Sequence, residues 1–439
     1  MSVKKIFTVL IVASAFLLLM TNVFGEPTLS FWCNPFVGGS SNDMTIVVPF
    51  FNKTVAASLT DFHVSTYFGP AQSYTTLLQN FIMKAKTGQP DVVEGLIEQL
   101  QTYTRMGLIA NLTDLFNSWQ EKDQFFPNTI EACTINGQLM GIPYNMNARG
   151  LIYRKDIFDK YHLAVPTTWS EYIKTASEIT KLTGGKIYGT AFTSAQDDVR
   201  ALQEFVSWYF QVSKRAPMFT INNGTVTLNA TPGEFEKVLD LYYDLTYSDP
   251  QYPPTNPQAK GMNYTALDLG YVSGKYAMIP DGPWMLAYSG QSAEASEILY
   301  HDTAVAPLPI PKDGVRASYL EVKPIMINKY SNHNIQLDWD LVKFIVSKDM
   351  MTVWASNEGF LPTRKDVLNT PEFDNWWIKM WKPLLPDGVA LSPINWDPVT
   401  TDITNAIDEV IYGTSKPHNA AIKLWNELTS LASSGVLGK

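Results

Sequence analysis

Residues 135–182 read INGQLMGIPYNMNARGLIYRKDIFDKYHLAVPTTWSEYIKTASEITKL, and this stretch decides the architecture. Ile135-Asn136-Gly137-Gln138-Leu139 is a turn with Asn-Gly at its centre, flanked by short apolar runs. Asn-Gly readily adopts the left-handed backbone of a two-residue hairpin turn, so a hairpin tip is expected there. Pro143 to Asn147 is a polar crossover that opens into the apolar strand Gly150-Leu151-Ile152-Tyr153. Thr168 followed by Glu171 predicts a capping box and a helix start. Tyr172, Ile173, Ala176 and Ile179 then recur at helical spacing.

Upstream, Thr28 to Cys33 reads as a β-prone strand, and Asn34 to Asn42 as a Gly/Ser-rich loop. A helix is expected over 44–57, bent or delayed by Pro49. Phe62 to Phe68 alternates like a strand. Tyr74, Leu77, Leu78, Phe81, Ile82 and Ala85 share one helical face, and Asp91-Val92-Val93 is a short buried strand. Strands alternating with helices predict βαβ units and mostly parallel sheets. In such sheets ligands gather at the carboxyl ends of the strands, here Trp32-Cys33-Asn34, Tyr67-Phe68-Gly69 and Glu94-Gly95.

The chain has 439 residues, enough for two domains, and is 45% hydrophobic. A formal net charge of −9 argues against nucleic acid or an anionic membrane surface as partner. Lys4-Lys5 followed by the apolar run Ile6 to Met20 reads as a signal peptide, with cleavage after Gly25 preferred to retention as an anchor. Cys33 lacks a preceding lipobox, so no lipid anchor is expected. In an exported protein Cys33 and Cys133 could pair or stay free, and spacing does not decide it. No phosphate-binding loop, dinucleotide fingerprint, zinc-protease motif or nucleophile elbow occurs, and the five histidines are scattered. No cofactor or metal site is therefore expected.

The ordered motifs resemble the carbohydrate-binding, maltose-binding-like extracellular solute-binding proteins of ABC importers. The resemblance runs through Gly137 to Pro143, Leu151 to Phe158, Val165 to Glu171, Gly185 to Gly189, Gly274 to Met278 with Gly282-Pro283-Trp284, and Gly359 to Arg364. It implies an α/β, two-lobed, type II periplasmic-binding-protein-like fold. Each lobe would be a mixed, mostly parallel sheet flanked by helices, with a ligand cleft between them. On this pattern residues 26–145 plus 317–348 form the first lobe, and 148–314 plus 352–439 the second. Hinges would lie near 145–147, 314–317 and 347–352. The function implied is capture of a sugar or oligosaccharide in the periplasm or at the cell surface, and its delivery to a membrane permease. The protein would act as a monomer and make or break no bond.

A sugar has an apolar face and a rim of hydroxyls, so it calls for aromatic rings with carboxylates and amides. Trp284 matches the family's sugar-stacking tryptophan, and Trp396 a late aromatic that closes the site; a core position is the alternative for each. Trp32 and Asn34 stand at the end of the first strand, Glu94 at the end of the third, and Asn145 and Asn147 on the crossover. Asp281 precedes Gly282-Pro283-Trp284 as a rim acceptor, and Asp198 is a loop candidate. Glu321 leads the strand that returns to the first lobe, as a ligand contact or a surface charge. The competing class is a secreted glycan-active enzyme with an acidic pair, Asp197-Asp198 or Glu94/Glu98, in an aromatic groove. Phosphate-bearing ligands are disfavoured because no Lys/Arg cluster stands among these candidates.

Overall fold

The computed structural model describes residues 28–33, Lys53, 63–68 and 74–438, apart from Asp197 and Asn223. The expected signal peptide, the helix over 44–57 except Lys53, and Asn34 lie outside the described residues.

Two sheets organise the chain. The first has the path Leu361–Pro362, Ile142–Ala148, Ser318–Ile327, Val92–Glu94, Thr28–Cys33, His63–Phe68, with Gly388–Val389 pairing beside Ser318–Ile327. The second runs Thr303–Ala306, Gly150–Arg154, Tyr276–Asp281, Tyr188–Thr190. Both are mixed. Thr28–Cys33 pairs in parallel with His63–Phe68 and Val92–Glu94, and the helix Tyr74–Lys84 lies between the latter two in the chain. Ser318–Ile327 runs antiparallel to both Val92–Glu94 and Ile142–Ala148, because it re-enters the sheet after a long excursion.

The opening stretch folds as its chemistry dictates. Asn136 and Gly137 both take positive φ, 51° and 75°, between the paired strands Thr134–Ile135 and Gln138–Leu139. Thr168 caps the helix Trp169–Leu182 with both halves of the capping box formed. Ile142–Ala148 belongs to the first sheet and Gly150–Arg154 to the second, so Arg149 occupies the crossing itself.

The last crossing comes later than the sequence suggested. Leu361–Pro362, expected within the second lobe, pairs antiparallel with Ile142–Ala148 in the first sheet, and Phe126 donates its backbone N–H to the Thr363 carbonyl at 3.0 Å. Gly359, at φ 79°, ends the helix Lys348–Glu358 and turns the chain back onto that sheet. Cys33 and Cys133 are both buried and unbridged.

Apolar side chains from both sheets and their helices merge into one continuous core. One contact in it tolerates no side chain. A Cβ on Gly189 would lie 2.0 Å from the Ala176 carbonyl oxygen, because the strand Tyr188–Thr190 rides on the backbone of the helix Trp169–Leu182. Thr180 Oγ1 accepts the Gly189 N–H at 3.0 Å and fixes that approach. Overpacking of this kind costs ~1–3 kcal/mol or more. Gly189→Ala should therefore unfold at clearly lower denaturant, whereas the exposed Gly233→Ala, which meets nothing within 4 Å, should not; equal midpoints would contradict the packing described.

Candidate functional site

The crossing residue builds the site. Arg149 follows the crossover strand directly, and its side chain is almost fully buried. Its Nη2 donates to Glu321 Oε2 at 2.8 Å and also to Gln203 Oε1. Glu321 lies on the returning strand Ser318–Ile327, and Gln203 on the helix Val199–Val212. Gln203 Nε2 passes the chain on to Glu98 Oε1 at 2.8 Å, which also accepts from the Tyr319 hydroxyl at 2.7 Å. Glu98 opens the first-lobe helix Ile97–Arg105. One hydrogen-bonded path thus joins the first lobe, two crossings and the second lobe.

Trp284 sits over this path. Arg149 lies 4.2 Å from its ring centroid and Arg200 4.5 Å, both cation–π contacts. The ring folds back on its own loop: a Cβ at Gly282 would come within 1.9 Å of it, so only glycine fits. Arg200 in turn donates to Asp281 Oδ1 at 2.7 Å and faces Asp268 at 3.8 Å. Asp281 Oδ1 also accepts the Gly282 N–H at 2.8 Å.

Burial dominates the electrostatics. It lowers the Arg149 and Lys323 pKa values, each against the pull of Glu321. For Glu321 burial acts upward, but Lys323 and Arg149 together hold its carboxyl below the usual range. Burial raises Glu98 despite hydrogen bonds from Gln203 and Tyr319. Asp268 is pushed well up by burial and then by Asp281. Burial and the Glu94 carboxylate push up the Tyr144 phenol, which places Glu94 in the same buried layer. Burial drives Glu204 up to about 8, against Arg200 and the Thr193 N–H and hydroxyl.

Several buried atoms here have no hydrogen-bond partner among the described residues. The donors are Asn145 Nδ2, Asn147 Nδ2, Arg149 Nε and Nη1, and Trp284 Nε1; the acceptors are Asn145 Oδ1, Asn147 Oδ1, Glu98 Oε2 and Asp281 Oδ2. Native interiors pair such groups almost without exception. In this layer both donors and acceptors, the Trp284 indole N–H among them, are left without a protein partner.

The candidates named from sequence separate clearly. Trp284, Asn145, Asn147, Asp281, Glu321 and Glu94 converge on this layer. Trp396 stands apart: its Nε1 donates to the Ser392 carbonyl at 2.8 Å, and its ring packs edge-on against Phe219 at 5.6 Å. It is a second-lobe core residue, because both its polar and its apolar demands are met inside that lobe. Asp198 is committed to backbone: Oδ1 caps the Arg200 N–H and Oδ2 accepts the Tyr264 N–H, each at 2.8 Å. Trp32 is half-buried within the first sheet, opposite Tyr67 and Val93. Asn34 and Asp197 lie outside the described residues.

Arg149, Arg200, Gln203 and Lys323 escaped the sequence reading. The expectation of no Lys/Arg cluster is corrected: three cations stand in the interlobe layer, each facing a carboxylate. A signal existed for two of them. Arg200, Gln203 and Glu204 repeat at i, i+3 and i+4 inside an otherwise apolar, aromatic-rich helix, so their shared face had to meet polar partners.

Residues 61–380 match the family model of bacterial extracellular solute-binding proteins. The chain belongs to this family. Among other solute-binding relatives, a binding protein of Brucella abortus is 25% identical over 313 residues, 70% of this chain and 72% of that one. The arabinooligosaccharide-binding protein of Halalkalibacterium halodurans is 24% identical over 305 residues, 66% of this chain and 64% of its own length. In structure, T. maritima MalE3 with maltose bound superposes with a TM-score of 0.77 at 21% identity, covering 92% of this chain and 99% of that one. The fold is thus the two-lobed, type II arrangement of solute-binding proteins.

The burial of Glu204 leads to a prediction about how stability depends on pH. Unfolded, this carboxyl titrates near the ordinary ~4.3; folded, it holds its proton up to about 8. Between those values the unfolded state binds fewer protons, so stability falls as pH rises and levels off above about 8. Glu204→Gln removes that loss. Relative to wild type, the variant should gain stability on going from pH 5 to pH 8 in denaturant titrations; parallel pH profiles would show that Glu204 is already ionised in the folded protein.

Proposed function

We propose that this exported protein captures a neutral carbohydrate between its lobes and delivers it, as a monomer in the periplasm or at the cell surface, to the membrane permease of an ABC importer. The observation that carries this reading is the pairing of unsatisfied donors with unsatisfied acceptors around Trp284. A hydroxyl both donates and accepts, so a polyhydroxylated ring matches a mixed set of Asn, Arg, Glu and Asp atoms. The charge balance points the same way. Arg149 and Lys323 share Glu321, the Glu94 carboxylate also acts on Lys323, and Arg200 faces Asp281 and Asp268, so every cation in the layer already has an acidic neighbour. The arabinooligosaccharide-binding relative and the maltose-bound MalE3 add support by analogy.

Capture requires motion. Two guanidiniums stand against the Trp284 ring, so a sugar that stacks on a covered face needs the guanidinium there to withdraw. Asn145 and Asn147 lie on the crossover strand itself, where both lobes meet. A ligand held there touches both halves and favours the closed pair of lobes by its differential contacts.

The alternative is a glycan-active enzyme. Glu94 and Glu98 are both buried in the same region, so an acidic pair is available. Incubating purified protein with a panel of oligosaccharides separates the two: accumulating products would establish turnover, whereas thermal stabilisation without product supports binding. On the binding reading, Asn147→Ala and Trp284→Ala should each weaken the best sugar by about tenfold to a hundredfold, from hydrogen-bond and stacking losses of ~1–3 kcal/mol. Calorimetric affinities that match wild type in both variants would move the site elsewhere.

A further inference from the structure

A second cavity lies in the second lobe, away from the interlobe layer. It measures about 220 Å³ and opens to solvent between the C-terminal end of the helix Val199–Val212, the helix Pro232–Tyr247 and the loop 311–314. That is below the ~300–1,000 Å³ of sites for drug-sized ligands, so only a small molecule fits. Trp169 forms one wall. Lys237, Asp240, Lys312 and Asp313 bring two charges of each sign.

The cavity is rigid where an aromatic contact needs it. Trp169 Nε1 donates to Gln211 Oε1 at 2.9 Å, and the ring packs edge-on against Trp208 at 6.0 Å. Gln211 Nε2 donates on to the Ala317 carbonyl at 3.2 Å. The loop is equally fixed. Gly314 N–H donates to the Pro311 carbonyl at 2.9 Å, and a Cβ at Gly314 would meet Pro311 Cγ at 2.5 Å. A wall held in place before binding loses little entropy when a ligand arrives.

The four charged side chains, by contrast, have neither hydrogen-bond nor ion-pair partners among the described residues. All four are exposed where they line the cavity, so both signs of charge are available to a ligand. We propose that this cavity is a binding site for a small zwitterion. Its cationic nitrogen lies against the Trp169 ring and the Asp240 carboxylate, and its carboxylate meets Lys312. A neutral polyol would leave both signs of charge unanswered, and a simple anion or cation would answer one sign alone. The site does not depend on which ligand the interlobe layer holds.

Titration of Asp240 gives the site a pH signature. Partial burial, then Glu236 and Asp244 on the same helix, push its carboxyl up to about 6. Lys237 beside it and Lys312 and Asp313 across the cavity are the other charges facing it. Protonation below about 6 removes the negative partner, so zwitterion binding weakens as pH falls through that value.

The test is calorimetric titration of the full chain with glycine betaine at low ionic strength. Wild type should bind at a single site, more weakly at pH 5 than at pH 7.5. Asp240→Asn and Lys312→Gln, both solvent-facing substitutions with unchanged circular dichroism, should each lose at least tenfold in affinity. Asp240→Asn should also lose the pH dependence. Asn147→Ala should bind betaine as wild type does. No saturable heat in wild type, affinity unchanged in both cavity variants, or loss of betaine binding in Asn147→Ala would each overturn the assignment, the last by placing the zwitterion between the lobes.

Discussion

The structure depends on one buried cation. Arg149 stands where the chain first leaves one sheet for the other, and a guanidinium sealed from water there is costly unless answered on several sides. It is answered by Glu321 on the returning strand, by Gln203 on a second-lobe helix and by the faces of Trp284 and Tyr319. Those groups come from separate passages of the chain. Satisfying one side chain therefore fixes how two crossings and a helix meet. The same set then holds Glu98 through Gln203 and Tyr319, which draws the first-lobe helix Ile97–Arg105 into register.

Much of this was legible locally, and the parts that were not share a cause. The Asn136-Gly137 turn and the Thr168–Glu171 cap are set by residues adjacent in sequence, and both form as read. Trp284 and Trp396 look alike in sequence, each beside a proline and a helical turn. Their environments differ through residues far away: Phe219 and Ser392 satisfy one, and Arg149 and Arg200 crowd the other. Asp198 read as an available carboxylate but is an N-cap, a role visible only once the helix start is placed at Val199. Leu361–Pro362 makes a strand of two residues whose pairing lies with Ile142–Ala148, too short and too distant a partnership for periodicity to reveal.

A second link between the lobes lies outside the Trp284 layer. Thr102, on the helix that carries Glu98, donates its hydroxyl toward Asn395 Oδ1 at 3.0 Å and Asp397 Oδ2 at 3.2 Å. Asn395 and Asp397 flank Trp396, whose ring anchors them to the second-lobe core. Trp396 thus helps to position the acceptors that Thr102 meets. Burial raises the Asp397 carboxyl, with the Thr102 hydroxyl opposing, as expected for a contact formed where two lobes exclude water.

These two links differ in what they ask of closure. The Thr102 contact is complete within the protein and asks nothing of a ligand. The Trp284 layer is not: closing it surrounds the amides of Asn145 and Asn147 with protein atoms that do not hydrogen-bond them. Each such group costs ~1–3 kcal/mol when buried unpaired. The pairing of Arg149 with Glu321 offsets part of that cost, and a ligand bearing hydroxyls removes the rest. On the proposed reading, closure is then poised rather than fixed. The charged path supplies the geometry of the closed state, and the unpaired amides make its population depend on what is bound.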